Sequence, residues 1–372
     1  MISYLRQMTR INSLIKQLES FAPPALQESY DNCGLITGTP EMEVKGIMVS
    51  LDCTEEVIDD AIANNCNVII AHHPIVFSGL KKLNGKNYIE RTVIKAVKHD
   101  IAIYAIHTNL DNVRTGVNAM IASKLGLIQT HVLAPKKGLL RKLIFFCPSS
   151  HVAIVREAVF NAGAGNIGKY DQCSFRITGS GSFRPGPDAQ PFKGEKGVLH
   201  DELEERIEVI YEFWKESAIL QAMREKHPYE EIAYDLYQLE NALQDTGAGL
   251  VGEFENPMEE AEFLHFLKLK MKTGSVRHTR FLGKKVKRVA VCGGSGSFLL
   301  NDAKKSGADV LVTADFKYHQ FFDAENQLII ADIGHYESEQ FTSELLCDLI
   351  REKFPTFAVQ ITGVNTNPVH YL

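Results

Sequence analysis

The chain has 372 residues, more than one ordinary domain needs, so its length favours two or three domains. Apolar residues make up 45% and charged residues 23% of the sequence, which is ordinary for a globular protein with sizeable cores. The 40 basic and 46 acidic residues occur without a long Lys/Arg cluster, which argues against nonspecific nucleic-acid binding as the main function.

The cysteines and the apolar runs indicate the compartment. Seven cysteines are present, none in a CxxC pair, which favours reduced thiols over a disulfide framework. No apolar run reaches the length of a membrane span, and residues 1–23 combine helically spaced apolar residues with charges. They predict an amphipathic helix that is neither a signal peptide nor a membrane anchor. We therefore expect a cytoplasmic protein.

The first third of the chain alternates strands and helices. Thr54, followed by two glutamates, marks the start of a helix. Strands that alternate with helices in this way predict a parallel sheet in an α/β fold. The predicted elements are strands at 44–52, 67–71 and 101–107 and helices at 54–66 and 88–100.

Residues 138–240 have a different pattern. A strand, a helix, two strands about a Gly/Pro-rich turn, a second helix and a final strand follow one another. This β-α-β-β-α-β order is typical of a ferredoxin-like domain. A complete domain between two α/β segments indicates an insertion into an exposed loop, where the ends of the inserted domain lie close together.

The α/β pattern returns after the insertion and repeats the first third. The segment VKRVAVCGGSG parallels VKGIMVSLDCT, and QLIIADIGHYESE parallels IAIYAIHTNLD. In the second pairing, His335 falls on His107, and Glu339 falls on Asp111 at the same offset. We therefore predict two similar α/β halves that form one domain. The predicted boundaries are 1–137 for the first half, 138–240 for the inserted domain and 241–372 for the second half.

Histidines and carboxylates stand where the predicted strands end. His72 and His73 follow one buried strand directly, and His107 and Asp111 follow the next. In an open α/β sheet, ligands bind at the carboxyl ends of the strands, and parallel strands place those ends on one edge. These side chains can therefore converge with the equivalent histidine and glutamate of the second half.

The donor types in this group indicate a metal site. Imidazole nitrogens with carboxylate oxygens are typical ligands of zinc, iron or manganese. The group contains more of these ligands than one four-coordinate ion needs, and it suits two ions about 3.5–4 Å apart. His72 and His73 point to different sides of the chain, so each can serve a different ion, and Glu339 can bridge them with its two oxygens.

Single motifs allow other interpretations. An isolated histidine is more often a cap or a core residue than a ligand, so the prediction depends on the whole group of side chains. The CGGSGS segment (292–297) can present backbone N–H groups to an anion or can be a tight turn that needs positive φ. Asp315 and His319 follow the strand that matches the one before His72, and they can face the same cavity.

Six motifs together resemble the NIF-three-like family, whose members are also called GTP cyclohydrolase I type 2 homologues. They are YDNCGL, AHHPIVF, HTNLDN, GGSGS, TADFKYH and GHYESE. Between the two halves, NAGAGNIGKYDQCSF, GSGSFRPG and HPYEEIAYDL resemble the CutA/PII-like domain found within longer bacterial members. The resemblance covers essentially the whole chain.

This resemblance implies two α/β halves around a dinuclear metal site, assembled as a hexameric ring. It implies two divalent ions per chain, zinc foremost, with iron, manganese, nickel or cobalt as alternatives. His107 is not carried over as a ligand and is expected to support one. The ligands carried over are His72, His73, Asp111, His335 and Glu339.

Two functions of different classes follow from the resemblance and the site. The first is a metal-dependent hydrolase of the GTP cyclohydrolase I type 2 kind that acts on a nucleotide or a related heterocycle, with His107 or His319 moving protons. The second is a metal-dependent regulatory or ligand-binding ring without catalytic turnover. We expect a small-molecule ligand, and neither a membrane nor nucleic acid as a partner.

Overall fold

The computed structural model describes residues 9–372, which form two compact units. The larger unit combines the chain up to Ala134 with Asp245–Leu372, and the smaller unit is Pro135–Gln244. The start of the predicted N-terminal helix, residues 1–8, lies outside the described residues. Within the described part of the chain, no helix is long and apolar enough to cross a membrane.

The larger unit begins with alternating strands and helices. In chain order its elements are α1 (Ile11–Phe21), β1 (Gly34–Thr37), β2 (Ile47–Ser50), α2 (Glu55–Ala63), β3 (Val68–Ala71), α3 (Tyr88–Lys98), β4 (Ala102–Ala105), α4 (Thr108–Asp111), α5 (Val117–Leu125) and β5 (Ile128–Lys136), with a 3-10 turn at Pro24–Leu26. Helix α2 starts where the sequence predicts, because the Thr54 side chain accepts a hydrogen bond from the Val57 N–H.

The smaller unit follows β5. Its elements are β6 (Leu140–Pro148), α6 (Val152–Asn161), β7 (Phe175–Phe183), β8 (His200–Glu212), α7 (Glu216–Lys226) and β9 (Tyr234–Gln238), with a 3-10 turn at Phe213–Lys215. The four strands form an antiparallel sheet in the order β7-β8-β6-β9. Its core joins Phe145 and Ile207 of the sheet to Val155 and Ile219 of the helices.

The chain then returns to the larger unit. The remaining elements are β10 (Leu243–Glu259), α8 (Glu260–Lys270), β11 (Arg277–His278), β12 (Lys285–Ser295), α9 (Leu300–Lys305), β13 (Val310–Ala314), β14 (Ile329–Asp332), α10 (His335–Glu339), α11 (Thr342–Lys353) and β15 (Val359–Ile361), with 3-10 segments at Ser297–Leu299 and Tyr318–Ala324.

Two sheets of the larger unit share one arrangement of strands. The first has the order β1-β4-β3-β2-β15, and the second has β11-β14-β13-β12-β10-β5. In the first, β2, β3 and β4 are parallel and β1 runs antiparallel beside β4. In the second, β12, β13 and β14 are parallel and β11 runs antiparallel beside β14. The short helices α4 and α10 therefore follow equivalent strands.

The parallel strands are buried and form a continuous core. Strands β2, β3 and β4 are buried at every residue, as expected for parallel strands covered on both faces. One apolar cluster includes Val49 and Ile70 of the first sheet together with Val291 and Val312 of the second. This shared core joins both sheets in one unit.

Candidate metal centre

The backbone delivers six polar side chains from strand ends and short helices. His72 and His73 directly follow β3, whose register with β2 continues into the hydrogen bond from the His72 N–H to the Ser50 carbonyl. His107 immediately precedes α4, and Asp111 is its last residue. In the second half, helix α10 runs from His335 to Glu339, so both side chains lie one helical turn apart on the same face.

Each of the four histidines is held through its Nδ1 atom. The partner is a backbone carbonyl or a carboxylate, which fixes the ring and directs Nε2 away from that partner. The Nδ1–oxygen distances are 2.8 Å for His72 to the Ile106 carbonyl, 2.8 Å for His73 to Asp52, 2.9 Å for His107 to Asp31 and 2.6 Å for His335 to Asp315. Histidines that bind metals in proteins are oriented in this way.

Glu339 lies at the centre of the group. Its side chain is only 3% exposed, and its Oε2 atom is 2.9 Å from Nε2 of His73 and 3.2 Å from Nε2 of His335. Its Oε1 atom is 3.8 Å from Nε2 of His72. The two oxygens of one carboxylate therefore face different histidines.

His72 and Asp111 leave two buried polar atoms without a partner. Nε2 of His72 and Oδ1 of Asp111 lie 3.6 Å apart, and neither has a hydrogen-bond partner among the described residues. Because Nδ1 of His72 donates to a carbonyl, Nε2 is the atom of this ring that is left to bind a metal ion. Two buried acceptor atoms facing each other cost free energy unless a proton or a metal cation lies between them. The geometry here fits a metal ion.

Charge in the group is balanced by protons on two histidines. Burial alone would lower the pKa of His73, but hydrogen bonds with Asp52 and Glu339 raise it to about 10. For His335, hydrogen bonds with Asp315 and Glu339 likewise outweigh burial and raise the pKa to about 11.

The carboxylates of Asp111 and Glu339 respond differently to the same surroundings. Burial, reinforced by the charge of Glu339, raises the pKa of Asp111 to about 8. Burial acts on the pKa of Glu339 in the same direction, but hydrogen bonds with the histidines keep it well below its ordinary value. A divalent ion would replace the protons of the histidines as the balancing charge.

The ring of His107 lies against those of His72 and His73. Its ring centroid is 5.3 Å from that of His72 and 5.3 Å from that of His73. Behind it, burial would raise the pKa of Asp31, but hydrogen bonds from His107, Cys33 and Thr108 hold that pKa below its ordinary value. The ring is thus fixed by an ionised carboxylate.

Three overlapping sets of side chains have ligand atoms within 4.8 Å of one another. All members are nitrogen or oxygen donors, a set that suits zinc, iron, manganese and related divalent ions. The sets are His72, His73 and His107; His73, His335 and Glu339; and His72, Asp111 and Glu339.

The group borders a cavity of about 960 Å³. Tyr30 and Phe77 line it and stack with their ring centroids 6.4 Å apart and an interplanar angle of 19°. Both rings are exposed, at 64% and 48%, as is that of Phe298, which also lines the cavity. Exposed aromatic rings beside a polar site provide flat surfaces on which a planar ring can stack.

The structure brings together the five predicted ligands and His107, and it leaves His319 outside. After β13 the chain turns at Asp315 into the 3-10 segment Tyr318–Ala324. His319 is exposed there and stacks on Phe322, and it does not line the cavity. Asp315 does line the cavity and holds His335.

Two backbone N–H groups of the CGGSGS segment are bound to side chains and are not open to an anion. The N–H groups of Gly293 and Gly294 donate to Asn118 Oδ1 and Ser338 Oγ. Gly294 has φ of +60°, and its missing side chain leaves room for Glu339. The turn interpretation of this segment therefore fits the structure.

Asp52 is a residue of the site that the sequence analysis missed. It ends the segment that contains β2, and its Oδ1 atom holds His73. The signal available in the sequence was its position at the carboxyl end of a buried parallel strand, next to the strand that leads to the histidines.

Comparison with known proteins places the chain among bacterial relatives. It is 40% identical over 364 residues to the "GTP cyclohydrolase 1 type 2 homolog" of Bacillus subtilis, covering 96% of this chain and 98% of that protein. It is 38% identical over 365 residues to the protein of the same name from Halalkalibacterium halodurans, covering 97% and 98%.

Solved structures are similar over the same length. The crystal structure of a Bacillus cereus protein related to NIF3 matches with a TM-score of 0.85 and 36% identity, covering 98% of this chain and 100% of that one. A Staphylococcus aureus protein matches with a TM-score of 0.79 and 30% identity, covering 98% and 99%. The family model of Duf34/NIF3 (NGG1p interacting factor 3) matches residues 9–368. The chain therefore belongs to the Duf34/NIF3 family.

Proposed function

We propose that the larger unit holds two divalent metal ions bridged by Glu339. The observation that carries this proposal is that Oε1 of Glu339 faces His72 while Oε2 faces His73 and His335. One ion would be held by His72, Asp111 and Glu339, and the other by His73, His335 and Glu339, the two sets that share this carboxylate. His107 would lie beside the ions as a residue that moves protons, not as a ligand.

The number of protein ligands favours catalysis over a structural role. Each of the two sets supplies three side chains, whereas structural zinc sites are closed by four. Asp111, His335 and Glu339 also line the cavity of about 960 Å³, so a remaining coordination position would face space for a small molecule. This arrangement is typical of catalytic metal sites.

The proposed activity is metal-dependent hydrolysis of a nucleotide or a related heterocycle, as the name of the curated relatives suggests. When bound, the ions would polarise the substrate and lower the pKa of a coordinated water to about 7. The stacked rings of Tyr30 and Phe77 would bind the planar heterocycle at the mouth of the cavity. Asp52 and Asp315 would keep His73 and His335 oriented during turnover.

Two measurements test this function together. Metal content is determined by elemental analysis of protein purified without added metal, and turnover of GTP is followed by mass spectrometry with zinc, manganese or iron(II). We expect two ions per chain and a ring-opened product. In Glu339→Gln, which keeps the size but loses the bridging charge, we expect one ion or none and no product.

The matched control is His99→Gln, because His99 is exposed at the end of α3 and does not line the cavity of the site. It should leave both readouts unchanged. Two ions without turnover of GTP with any of the three metals would favour the regulatory or ligand-binding ring. Two ions still bound in Glu339→Gln would refute the bridging role.

We further propose that residues 138–240 are an inserted ferredoxin-like domain of the CutA/PII-like kind, and that 1–137 and 241–372 together form the metal-binding domain. The element order β-α-β-β-α-β and the sheet order β7-β8-β6-β9 support the first assignment.

The resemblance also implies a hexameric ring, which native mass spectrometry of the full chain would test. A mass other than six chains would contradict it.

A further inference from the structure

The smaller unit contains a cavity of its own, of about 530 Å³, with aromatic walls. The ring of Tyr229 lies between those of Phe183 and Phe192, with centroid distances of 6.2 Å to each. The rings are tilted by 57° and 49° to that of Tyr229, so they do not stack on one another, and all three line the cavity. The volume falls within the range of small-molecule sites.

A buried carboxylate lies among these rings. Glu204, on β8, is 9% exposed and lines the cavity, and its Oε1 atom accepts a hydrogen bond of 2.8 Å from the Tyr229 hydroxyl. On the neighbouring strand β7, Gly181 has no side chain, and a Cβ atom there would collide with the other carboxylate oxygen of Glu204. The backbone of β7 thus leaves room for this carboxylate in particular.

Glu204 differs from the other glutamates of its strand in having no cation beside it. Each of the other four forms an ion pair, whereas no described Lys, Arg or His pairs with Glu204. The four pairs are Glu202 with Lys193, Glu205 with Arg176, Glu208 with Lys142 and Glu212 with Lys215. A buried carboxylate without a cation is costly unless a ligand supplies the charge.

The HPYEE motif holds this wall in place. His227 donates from Nε2 to the Phe146 carbonyl across 2.9 Å, and its Nδ1 accepts from the Tyr229 N–H across 3.2 Å. Glu230 accepts a hydrogen bond of 2.8 Å from the Gln190 N–H. The HPYEE motif, which takes no part in the metal centre, therefore positions the ring of Tyr229 and the carboxylate of Glu230 at the cavity.

The charges around the cavity favour a cation. Three glutamates and two basic residues line it: Glu204, Glu230, Glu231, Arg184 and Lys193. The ammonium of Lys193 is already bound to Glu202, 2.6 Å away, which does not line the cavity. The remaining balance is negative, and aromatic faces attract organic cations through their quadrupoles.

We propose that this cavity binds a small organic cation of the alkylammonium class, with the ammonium group held by Glu204 and the rings of Phe183, Phe192 and Tyr229. The site is separate from the metal centre and independent of the proposed hydrolysis. The cation would complete the charge of Glu204 while its alkyl groups cover the aromatic walls.

The test uses choline and its uncharged isostere 3,3-dimethyl-1-butanol on the metal-loaded full chain, with saturation-transfer NMR titrations as the readout. We expect saturable choline binding and at least tenfold weaker binding of the alcohol. Glu204→Gln keeps the acceptor for Tyr229 but removes the charge, and Phe192→Leu removes one ring. Both should weaken choline binding at least tenfold, while Glu205→Gln, on the same strand, should not.

Circular dichroism and metal content of each variant show that it is folded, and Phe192, at 47% exposure, can be changed without opening the core. Equal binding of choline and the alcohol would reduce the cavity to an apolar pocket and overturn the proposal. So would choline binding that survives both substitutions. Absence of binding for choline, tetramethylammonium and butylammonium alike, or saturable binding of inorganic phosphate instead, would overturn it as well.

Discussion

The carboxylate of Asp52 holds Nδ1 of His73 at 2.8 Å, from the end of the adjacent parallel strand. Its other oxygen accepts a hydrogen bond of 2.7 Å from the Thr366 hydroxyl. Burial alone would raise the pKa of Asp52, but the hydrogen bond with His73 lowers it, so the carboxylate stays ionised. This leaves Nε2 of His73 directed at Glu339, 2.9 Å away.

Replacing Asp52 with Asn should therefore weaken metal binding without removing a ligand. An amide can still accept at this position, but it carries no charge to increase the basicity of the ring. Loss of such a supporting carboxylate typically lowers metal affinity roughly 10–100-fold. Competition with a chromogenic chelator measures the change.

The matched control for this substitution is Asp59→Asn. Asp59 pairs with Lys95 at the surface of α2, 2.6 Å away, and does not line the cavity. It should bind metal like the unchanged protein. Equal affinity in both variants would mean that His73 is oriented by something other than Asp52.

A second prediction concerns the glycine beside Glu339. In Gly294→Ala, the new Cβ atom would lie 2.5 Å from Oε1 of Glu339, so the carboxylate must move. Gly126→Ala is the matched control, because its φ of +73° imposes a similar backbone strain but nothing lies within 4 Å of the added atom. Both variants should lose about 1 kcal/mol of unfolding free energy from strain.

Only Gly294→Ala should also lose metal, as elemental analysis after dialysis against a weak chelator would show. If both variants keep two ions, the carboxylate tolerates displacement and cannot be the bridge. If both lose metal, backbone strain rather than the collision explains the loss.

The sequence predicted where the strands end better than it predicted the hydrogen bonds that orient the histidines. Buried apolar runs locate β3 and β4, and the strands confirmed at Val68–Ala71 and Ala102–Ala105 place the histidines at one edge. The repeat of the pattern around β14 is visible because helix α10 follows it as α4 follows β4. The family membership inferred from these motifs is confirmed.

The hydrogen bonds that orient the histidines could not be predicted in the same way, because they depend on tertiary contacts. Asp31 meets His107 from a turn far earlier in the chain, and no periodicity marks it. His319 shows the converse case, a residue that was expected at the site and does not lie there. It follows the expected strand, but the backbone at Asp315, with φ of +61°, turns the chain so that Asp315 rather than His319 faces the site.

The stability of the smaller unit should depend on pH through His227. Burial lowers the pKa of His227, and its Nδ1 must stay unprotonated to accept from the Tyr229 N–H. The unfolded chain therefore binds a proton below about pH 6.5 that the folded unit resists, so the free energy of unfolding falls as the pH drops through this range.

Trp214, the single tryptophan of the chain, lies in this unit and reports its unfolding by fluorescence. The urea midpoint should fall between about pH 7.5 and about pH 5.5. The fall should be smaller in His227→Gln, whose amide can still donate to the Phe146 carbonyl. Parallel curves for the two proteins would show that another group causes the dependence.

The last prediction is that residues 138–240 can be excised without loss of the metal centre. Strands β5 and β10, which lead into and out of this segment, are neighbours in one sheet, so a short linker can join Lys137 to Asn241. A linker of about ten Gly/Ser residues costs on the order of 1 kcal/mol more than a tight turn, because loop-closure entropy grows slowly with length.

All six side chains of the centre lie outside the cut. The shortened protein should keep two ions per chain by elemental analysis and lose choline binding, whereas full-length Glu339→Gln should show the reverse. A folded, soluble deletion that has lost its metal would mean that the centre needs residues from the excised segment, and the assignment of the site to the larger unit alone would be wrong.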